Sequence, residues 1–201
     1  PDDPKGEGFK AIKKAMDRIE NASDMEAKLI QALYTLYDKD TYPDAKGRDQ
    51  AYLAEMRKLN RDYPNDPDIA ALYASSYMSI QRWNYWDNQG EPISETLAVA
   101  EALERIMSKD LSHPGVLHLH IHLIEASAEP ERALVAADNL EKTIPIVGHV
   151  VHMPSHIYVR VGQYQKALEQ NIRSQKVDKE FAEIWGDLPL PNLGTYPLSH
   201  N

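Results

Sequence analysis

Two pairs of histidines with the same internal spacing recur along the chain. His118 and His122 are four residues apart, and His152 and His156 repeat that spacing 34 residues later. Residues four apart in an α-helix lie on the same face, one turn above the other. A histidine pair at that spacing is a known way to bind a metal ion from one helix. The sequence therefore predicts two ligand pairs, and all eight histidines lie in the second half of the chain.

Further candidate ligands lie on the same predicted helix faces. Glu125 follows His122 by three residues, and His149 precedes His152 by three, so each pair extends into a stripe. Glu125 is the candidate catalytic residue, acting as a base on metal-bound water; as alternatives it is a ligand or a partner that orients the imidazoles. Pro154 favours a helix that begins near Val151, which would leave His149 outside the regular stripe.

The remaining histidines are weaker candidates for the same site. His113 precedes Pro114 and is expected in a loop or at a helix start, from which it could swing in as a ligand. His200 is a candidate ligand in the C-terminal tail. His120 points away from His118 on an ideal helix and is interpreted as a packing or solvent-facing residue.

The types of these residues restrict which metal they would bind. Imidazole-rich ligation suits copper, zinc, iron or nickel, whereas magnesium and calcium prefer oxygen ligands. The chain contains no cysteine, which excludes thiolate ligands, a cysteine nucleophile and disulfides. The sequence predicts a transition-metal ion as cofactor, with copper, zinc and iron left open.

The elements that must position these residues are predicted to be helices. Helical periodicity runs through the chain, and no segment alternates convincingly as a strand. Ser23 and Glu26 form a predicted capping box that opens a helix at about 24–38. Further helices are predicted at about 8–20, 47–63 and 93–109. Another helix is predicted to begin at Pro67, shortly after the end of the 47–63 helix. The fold class predicted is all-α.

The 34-residue recurrence extends beyond the histidines. The segment from Pro114 aligns with the one beginning near Gly148, so that Ala133 falls on Ala167. A period of 34 is that of the tetratricopeptide (TPR) helix-turn-helix unit. We therefore predict a TPR-like helical solenoid of antiparallel helix pairs with about nine helices, in which both histidine stripes line one groove. Residues 1–201 are predicted to form a single domain with an inserted loop at about 82–92 and an irregular tail at about 182–201.

Composition excludes several classes of function. The net charge of −9, with no basic run, argues against nucleic acid as a partner. No stretch is long and apolar enough for a membrane helix, so a soluble chain is expected, in the periplasm or the cytoplasm. The first residues, PDDPKGEGFK, lack an initiating Met and an apolar signal core, and the chain is expected to be processed or a fragment of a longer one.

The chain also resembles an uncharacterised bacterial family of TPR proteins. The resemblance is carried by HPGVLHLHIHLIEAS, GHVVHMPSHIYVRVGQY, the terminal YPLSHN and the upstream RWNYWDNQGEP. It implies a TPR fold and family positions at His113, His118, His122, Glu125, His149, His152 and His156, and less securely at His200 with Asn201. His120 stands where the family more often has an aromatic residue. The resemblance implies no activity.

Two classes of function stay open from the sequence. In the first, the groove binds one or two metal ions, and the protein is a metal carrier or a metal-dependent oxidoreductase or hydrolase. In the second, it is a scaffold that binds a peptide, a protein or a small molecule in its groove, the ordinary function of helical solenoids. Clustered imidazoles would also allow pH sensing. The facing residues are His and Glu rather than Lys, Arg or Asn, which favours the metal.

Overall fold

The computed structural model describes residue 3 and residues 6–185 of the chain. Within them the fold is all-α, and no β-strand occurs apart from a single bridge between Trp86 and Pro92. Ten α-helical segments are present in this part, and the eighth and ninth join into one helix, so the described chain has nine helices. The predicted all-α, TPR-like class is confirmed. The backbone divides into two compact units, one up to Trp83 and one from Asn84 onward.

The first unit contains four helices with conventional ends. They are α1 (Glu7–Met16), α2 (Asp24–Tyr34), α3 (Ala45–Asp62) and α4 (Pro67–Gln81), with a short 3-10 turn at Ile19–Asn21. The predicted capping box is present, because Glu26 N donates to Ser23 Oγ and Ser23 N donates to Glu26 Oε2. Asp66 caps α4, whose first residue is proline. Each helix packs against the next around Met56, Ile69 and Tyr77, which are fully buried.

The second unit contains the histidines. Its helices are α5 (Thr96–Met107), α6 (Pro114–Ile124), α7 (Leu134–Thr143), α8 (Gly148–His152), α9 (Pro154–Arg160) and α10 (Tyr164–Trp185), with a 3-10 turn at Pro130–Ala133 before α7. Helix α6 packs against α5 and α7, α7 packs against α9, and α10 packs against both α8 and α9. Leu117, Ile121 and Leu140 form part of its buried core. Ala133 and Ala167, which fall on each other in the 34-residue register, are both buried.

The helix that carries the second histidine stripe is interrupted but not broken. Met153 has helical backbone angles, φ −49° and ψ −40°, and links α8 to α9, which starts with Pro154. Proline fits the first turn of a helix, since it has no N–H to leave unpaired there. The predicted start near Val151 was therefore wrong: the helix begins at Gly148 and includes His149.

The predicted inserted loop connects α4 to α5 and is held by aromatic residues. Tyr85 is buried, and its carbonyl oxygen accepts a hydrogen bond from Thr96 Oγ1 at 2.8 Å. Trp86 Nε1 donates to the carbonyl oxygen of Leu123 at 2.6 Å. The loop thereby fastens to the C-terminal end of α6, the helix that carries the first histidine stripe.

The predicted irregular tail at about 182–201 lies mostly outside the described residues. Helix α10 continues to residue 185, past the predicted start of the tail at 182. Residues 186–201, with the candidate ligand His200, lie outside the described part. The single domain over 1–201 stays a prediction. No described helix has the length and apolar character needed to cross a membrane.

Candidate functional site

Helix α6 presents the first histidine stripe. His113 is its N-cap residue, and Pro114 follows at the first helical position. His118 and His122 lie one turn apart, with their ring centroids separated by 4.8 Å. Glu125 lies at the C-cap, on the same face. Because the helix is regular from its cap onward, the predicted spacing translates directly into a stripe.

The second stripe lies on α8 and α9, and its rings meet those of the first. His149 and His118 have ring centroids 5.1 Å apart, and His156 and His122 have centroids 5.5 Å apart. Within the stripe, His152 and His156 are separated by 4.9 Å and His149 and His152 by 6.4 Å. The rings thus form a closed circuit of five. We call this circuit, together with Glu125, the histidine cluster: His118, His122, His149, His152, His156 and Glu125.

Glu125 joins the two stripes through both of its carboxylate oxygens. His122 Nδ1 donates to Oε1 at 3.0 Å, and His156 Nδ1 donates to Oε2 at 2.6 Å. Burial raises the pKa of Glu125, but the hydrogen bonds from His122 and His156 outweigh it and hold that pKa at about 2. The ionised carboxylate accepts only, so it fixes the proton of each ring on Nδ1 and leaves the Nε2 lone pair facing away from it.

A partner that sequence reasoning missed orients His152. Asn171 on α10 accepts a hydrogen bond from His152 Nδ1 through Oδ1 at 2.6 Å. His152 is 7% exposed, and Ser155 Oγ lies 3.4 Å from the same nitrogen. This ring therefore also keeps its Nε2 lone pair turned toward the cluster. In the sequence, Asn171 is one polar residue among many in a helix. Its importance becomes visible only when α10 is seen to pack against the helix of His152.

That face of α10 carries a short polar stripe. Ser174 follows Asn171 by three residues, is fully buried, and donates from Oγ to the carbonyl oxygen of Gly148 at 2.9 Å. Asp178, four residues further, approaches Gly148 so closely that a Cβ added there would overlap its carboxylate. The glycine at the start of α8 thus allows α10 to pack close enough for Asn171 to reach His152.

The Nε2 atoms meet in two pairs. His152 Nε2 and His156 Nε2 are 3.0 Å apart, and His118 Nε2 and His149 Nε2 are 3.2 Å apart. Burial lowers the pKa of His118 to about 3, and repulsion from His122 and His149 adds to the effect. His118 is therefore a neutral imidazole at neutral pH, which is the form that binds metals.

The donor atoms of the cluster gather in two groups. Those of His118, His122 and His149 lie within 4.8 Å of one another, as do those of His122, Glu125 and His156. All of these residues are partly buried, and the side chains of His122 and His156 keep 13% and 23% of their surface exposed. The cluster is thus largely desolvated, and part of its surface stays accessible to water.

His113 and His120, the two other histidines of the described second unit, lie outside the histidine cluster. His113 Nδ1 accepts a hydrogen bond from Val116 N at 3.1 Å, which caps α6. His120 is fully buried, and its Nε2 lies 3.0 Å from Glu104 Oε1, an oxygen that Arg132 also contacts. His120 is thus a packing residue on the face away from His118, one of the two roles predicted for it. The ligand role of His113 stays a prediction, since its Nδ1 serves as the cap here.

Comparisons with known proteins support the fold. A solved chain described as MamA MSR-1 C2, a TPR-type helical protein, superposes with a TM-score of 0.56 at 12% sequence identity and covers 87% of this chain and 91% of its own length. At that identity the likeness shows the fold alone. No protein-family model matches the chain, and no curated protein matches it.

Proposed function

We propose that this protein binds a transition metal through the histidine cluster, with imidazole Nε2 atoms as ligands and Glu125 as the residue that orients two of them. The proposal includes membership of the uncharacterised bacterial TPR family whose His-rich blocks coincide with the cluster. It rests on one observation above all, the approach of His152 Nε2 to His156 Nε2 at 3.0 Å.

With both rings protonated on Nδ1, that approach has no proton between the two nitrogens and is unfavourable without a cation. The Nδ1 protons of His152 and His156 are committed to Asn171 and Glu125, so both Nε2 atoms present lone pairs to each other. Two facing lone pairs repel unless a positive charge lies between them. In a tetrahedral zinc site, metal–nitrogen bonds of about 2.0–2.1 Å place neighbouring ligand nitrogens about 3.3 Å apart. The separations of 3.0 Å and 3.2 Å are close to that edge length.

The surrounding residues support a metal rather than a proton as that cation. In the other pair, burial lowers the pKa of His118 to about 3, so its ring is neutral at neutral pH, the form that a metal ligand requires. Metal-ligating histidines usually donate their second ring N–H to a carboxylate or another acceptor, and Glu125 and Asn171 provide acceptors for three rings. A bound zinc ion would supply hydrolytic chemistry, and copper or iron would supply redox chemistry.

The test is metal content and uptake. Protein purified without an affinity tag is expected to contain a stoichiometric transition metal by elemental analysis, and chelator-treated protein should take it up again. The double substitution His122→Ala/His156→Ala removes the imidazole common to both donor groups and one further ligand, so it is expected to lower uptake strongly while the helical circular dichroism is kept. Glu131→Gln is the control, because it changes an exposed side chain of the same unit outside the cluster. Equal uptake by the double variant and the control contradicts the proposal.

A second candidate function follows from the fold rather than from the cluster. TPR-like helical repeats commonly bind proteins or peptides along their helices, and the MamA structure shares that architecture. Under this alternative the histidines line the surface that receives the partner. A partner that is recovered equally with and without chelator, and equally by the His122→Ala/His156→Ala variant, would favour the scaffold over the metal protein.

A further inference from the structure

The two Nε2 pairs of the histidine cluster share no residue. His118 pairs with His149, and His152 pairs with His156. Each pair has a nitrogen separation close to the edge of a metal coordination sphere, about 3.3 Å for tetrahedral zinc. A single ion placed at one pair would account for only one of the two close approaches.

The wider arrangement of donor atoms also has two parts, one with His118 and His149 and the other with His156 and Glu125 but without His152. Among the described residues, the donor atoms form two groups of three that have only His122 in common. The ring of His122 lies between the pairs, with centroids 4.8 Å from His118 and 5.5 Å from His156. His122 therefore links the two pairs on one side of the circuit, and the contact of His149 with His152, at 6.4 Å between centroids, links them on the other.

We infer that the cluster binds two transition-metal ions, one at His118 and His149 and the other at His152 and His156, with His122 between them. The inference rests on the proposed function and specifies its stoichiometry and its division of ligands. The first ion takes its ligands from α6 and α8, and the second from the junction of α8 with α9.

Two ions at this site leave coordination positions open. Two four-coordinate ions need about eight donor atoms, whereas the cluster offers five imidazoles. Glu125 is the one carboxylate in the cluster, so it balances little of the charge of two divalent cations. Water, hydroxide or another small anion would fill these positions.

The experiment counts ions and identifies which pair binds each. Chelator-treated protein is titrated with Cu²⁺, and bound copper per chain is measured after dialysis. Electron paramagnetic resonance of the loaded protein then reports whether the copper ions are magnetically coupled. We expect two ions per chain, a coupled signal, and a change in the signal when azide is added as the small anion.

Paired substitutions separate the two positions. His118→Ala/His149→Ala and His152→Ala/His156→Ala are each expected to bind one ion with an uncoupled signal. Circular dichroism checks folding, and the corresponding Gln variants replace any Ala variant that fails to fold, because they keep more of the side-chain volume. Glu131→Gln, at an exposed glutamate, should keep two ions.

The outcomes distinguish this inference from the proposed function. One ion in the unsubstituted protein, lost in both paired variants, overturns the two-ion arrangement and leaves metal binding intact. No bound ion in the unsubstituted protein overturns both. Two ions that are both lost in either paired variant contradict the division of ligands given above.

Discussion

The two repeats that build the histidine cluster supply the same rings and different supports. In the first, His122 is held by Glu125 from its own helix, three residues away. In the second, His156 is held by Glu125 from α6, and His152 by Asn171 from α10. One stripe is thus oriented by local sequence, whereas the other depends on packing between helices.

The 34-residue register shows where the repeats diverge. Val159, half exposed, occupies the position that corresponds to Glu125, and buried Ala137 occupies the one that corresponds to Asn171. His149 likewise corresponds to Gly115, which has no side chain to offer. The repeat therefore provides the ring pairs, and the non-repeated residues provide the orientation and the fifth imidazole.

Substitution of Glu125 has the largest expected effect. It tests whether both stripes need a carboxylate that orients their imidazole rings. Glu125→Gln keeps the shape but offers one acceptor instead of two, so His122 or His156 loses its fixed tautomer. We expect metal affinity to fall about ten- to a hundredfold, the usual effect of removing such a partner. Competition with a chromogenic chelator measures the change. Glu131→Gln, an exposed glutamate, should leave the affinity unchanged.

The close packing of α10 on α8 is tested at Gly148. In Gly148→Ala the new methyl group meets the Asp178 carboxylate, and the fold is expected to lose about 1–3 kcal/mol, typical of overpacking. Urea unfolding of chelator-treated protein measures the loss. The same substitution at Gly47, where the contacts are ordinary and the backbone is helical, should stabilise by about 0.5–1 kcal/mol. If Gly148→Ala/Asp178→Ala does not recover stability, the overlap is not the cause.

Asn171→Ala makes the second repeat resemble the first at this position. His152 loses the acceptor of its Nδ1 proton but keeps its place in the helix, so we expect affinity to fall about tenfold, the lower end for such partners. Isothermal titration with Zn²⁺ measures the loss. Gln175→Ala, exposed on the same helix, is the control. An equal effect from both substitutions would mean that α10 acts only through general stability.

The smallest expected effect is on the pH dependence of the apo fold. The pKa of His118 falls from 6.5 to about 3 on folding, so the unfolded chain binds the proton more readily. The stability of chelator-treated protein should thus be complete above pH 6.5 and decline as the pH falls toward 3. Glu125, lowered from 4.5 to about 2, adds to the decline below pH 4.5. Thermal unfolding from pH 7 to 4 should show a shallower decline in His118→Asn.

Much of the fold could be predicted because its signals are local. The capping box at Ser23 and the proline at position 67 fix helix starts through contacts within four residues. The helical face shared by His118 and His122 follows from spacing alone. Helix ends were predicted less well: α2 stops at Tyr34 rather than near residue 38, since nothing in that stretch sets a boundary as sharply as a cap does.

The parts of the site that were missed depend on tertiary packing. Asn171 reaches His152 only because α10 approaches α8, and that approach depends on the glycine at position 148. The helix start predicted for His113 from its position before Pro114 is confirmed, but the use of its Nδ1 to cap α6 depends on the folded backbone. Sequence spacing thus identified the rings and offered Glu125 as a partner that orients them, but it could not identify Asn171.

The proline that interrupts the second stripe also prepares it for a ligand. Pro154 lies midway between His152 and His156, and its ring restricts φ to about −65° even before the chain folds. A restricted segment loses less conformational entropy when it is ordered. The pair with the shortest Nε2 separation is therefore carried by a segment that is stiff in advance, which lowers the entropic cost of closing two imidazoles around an ion.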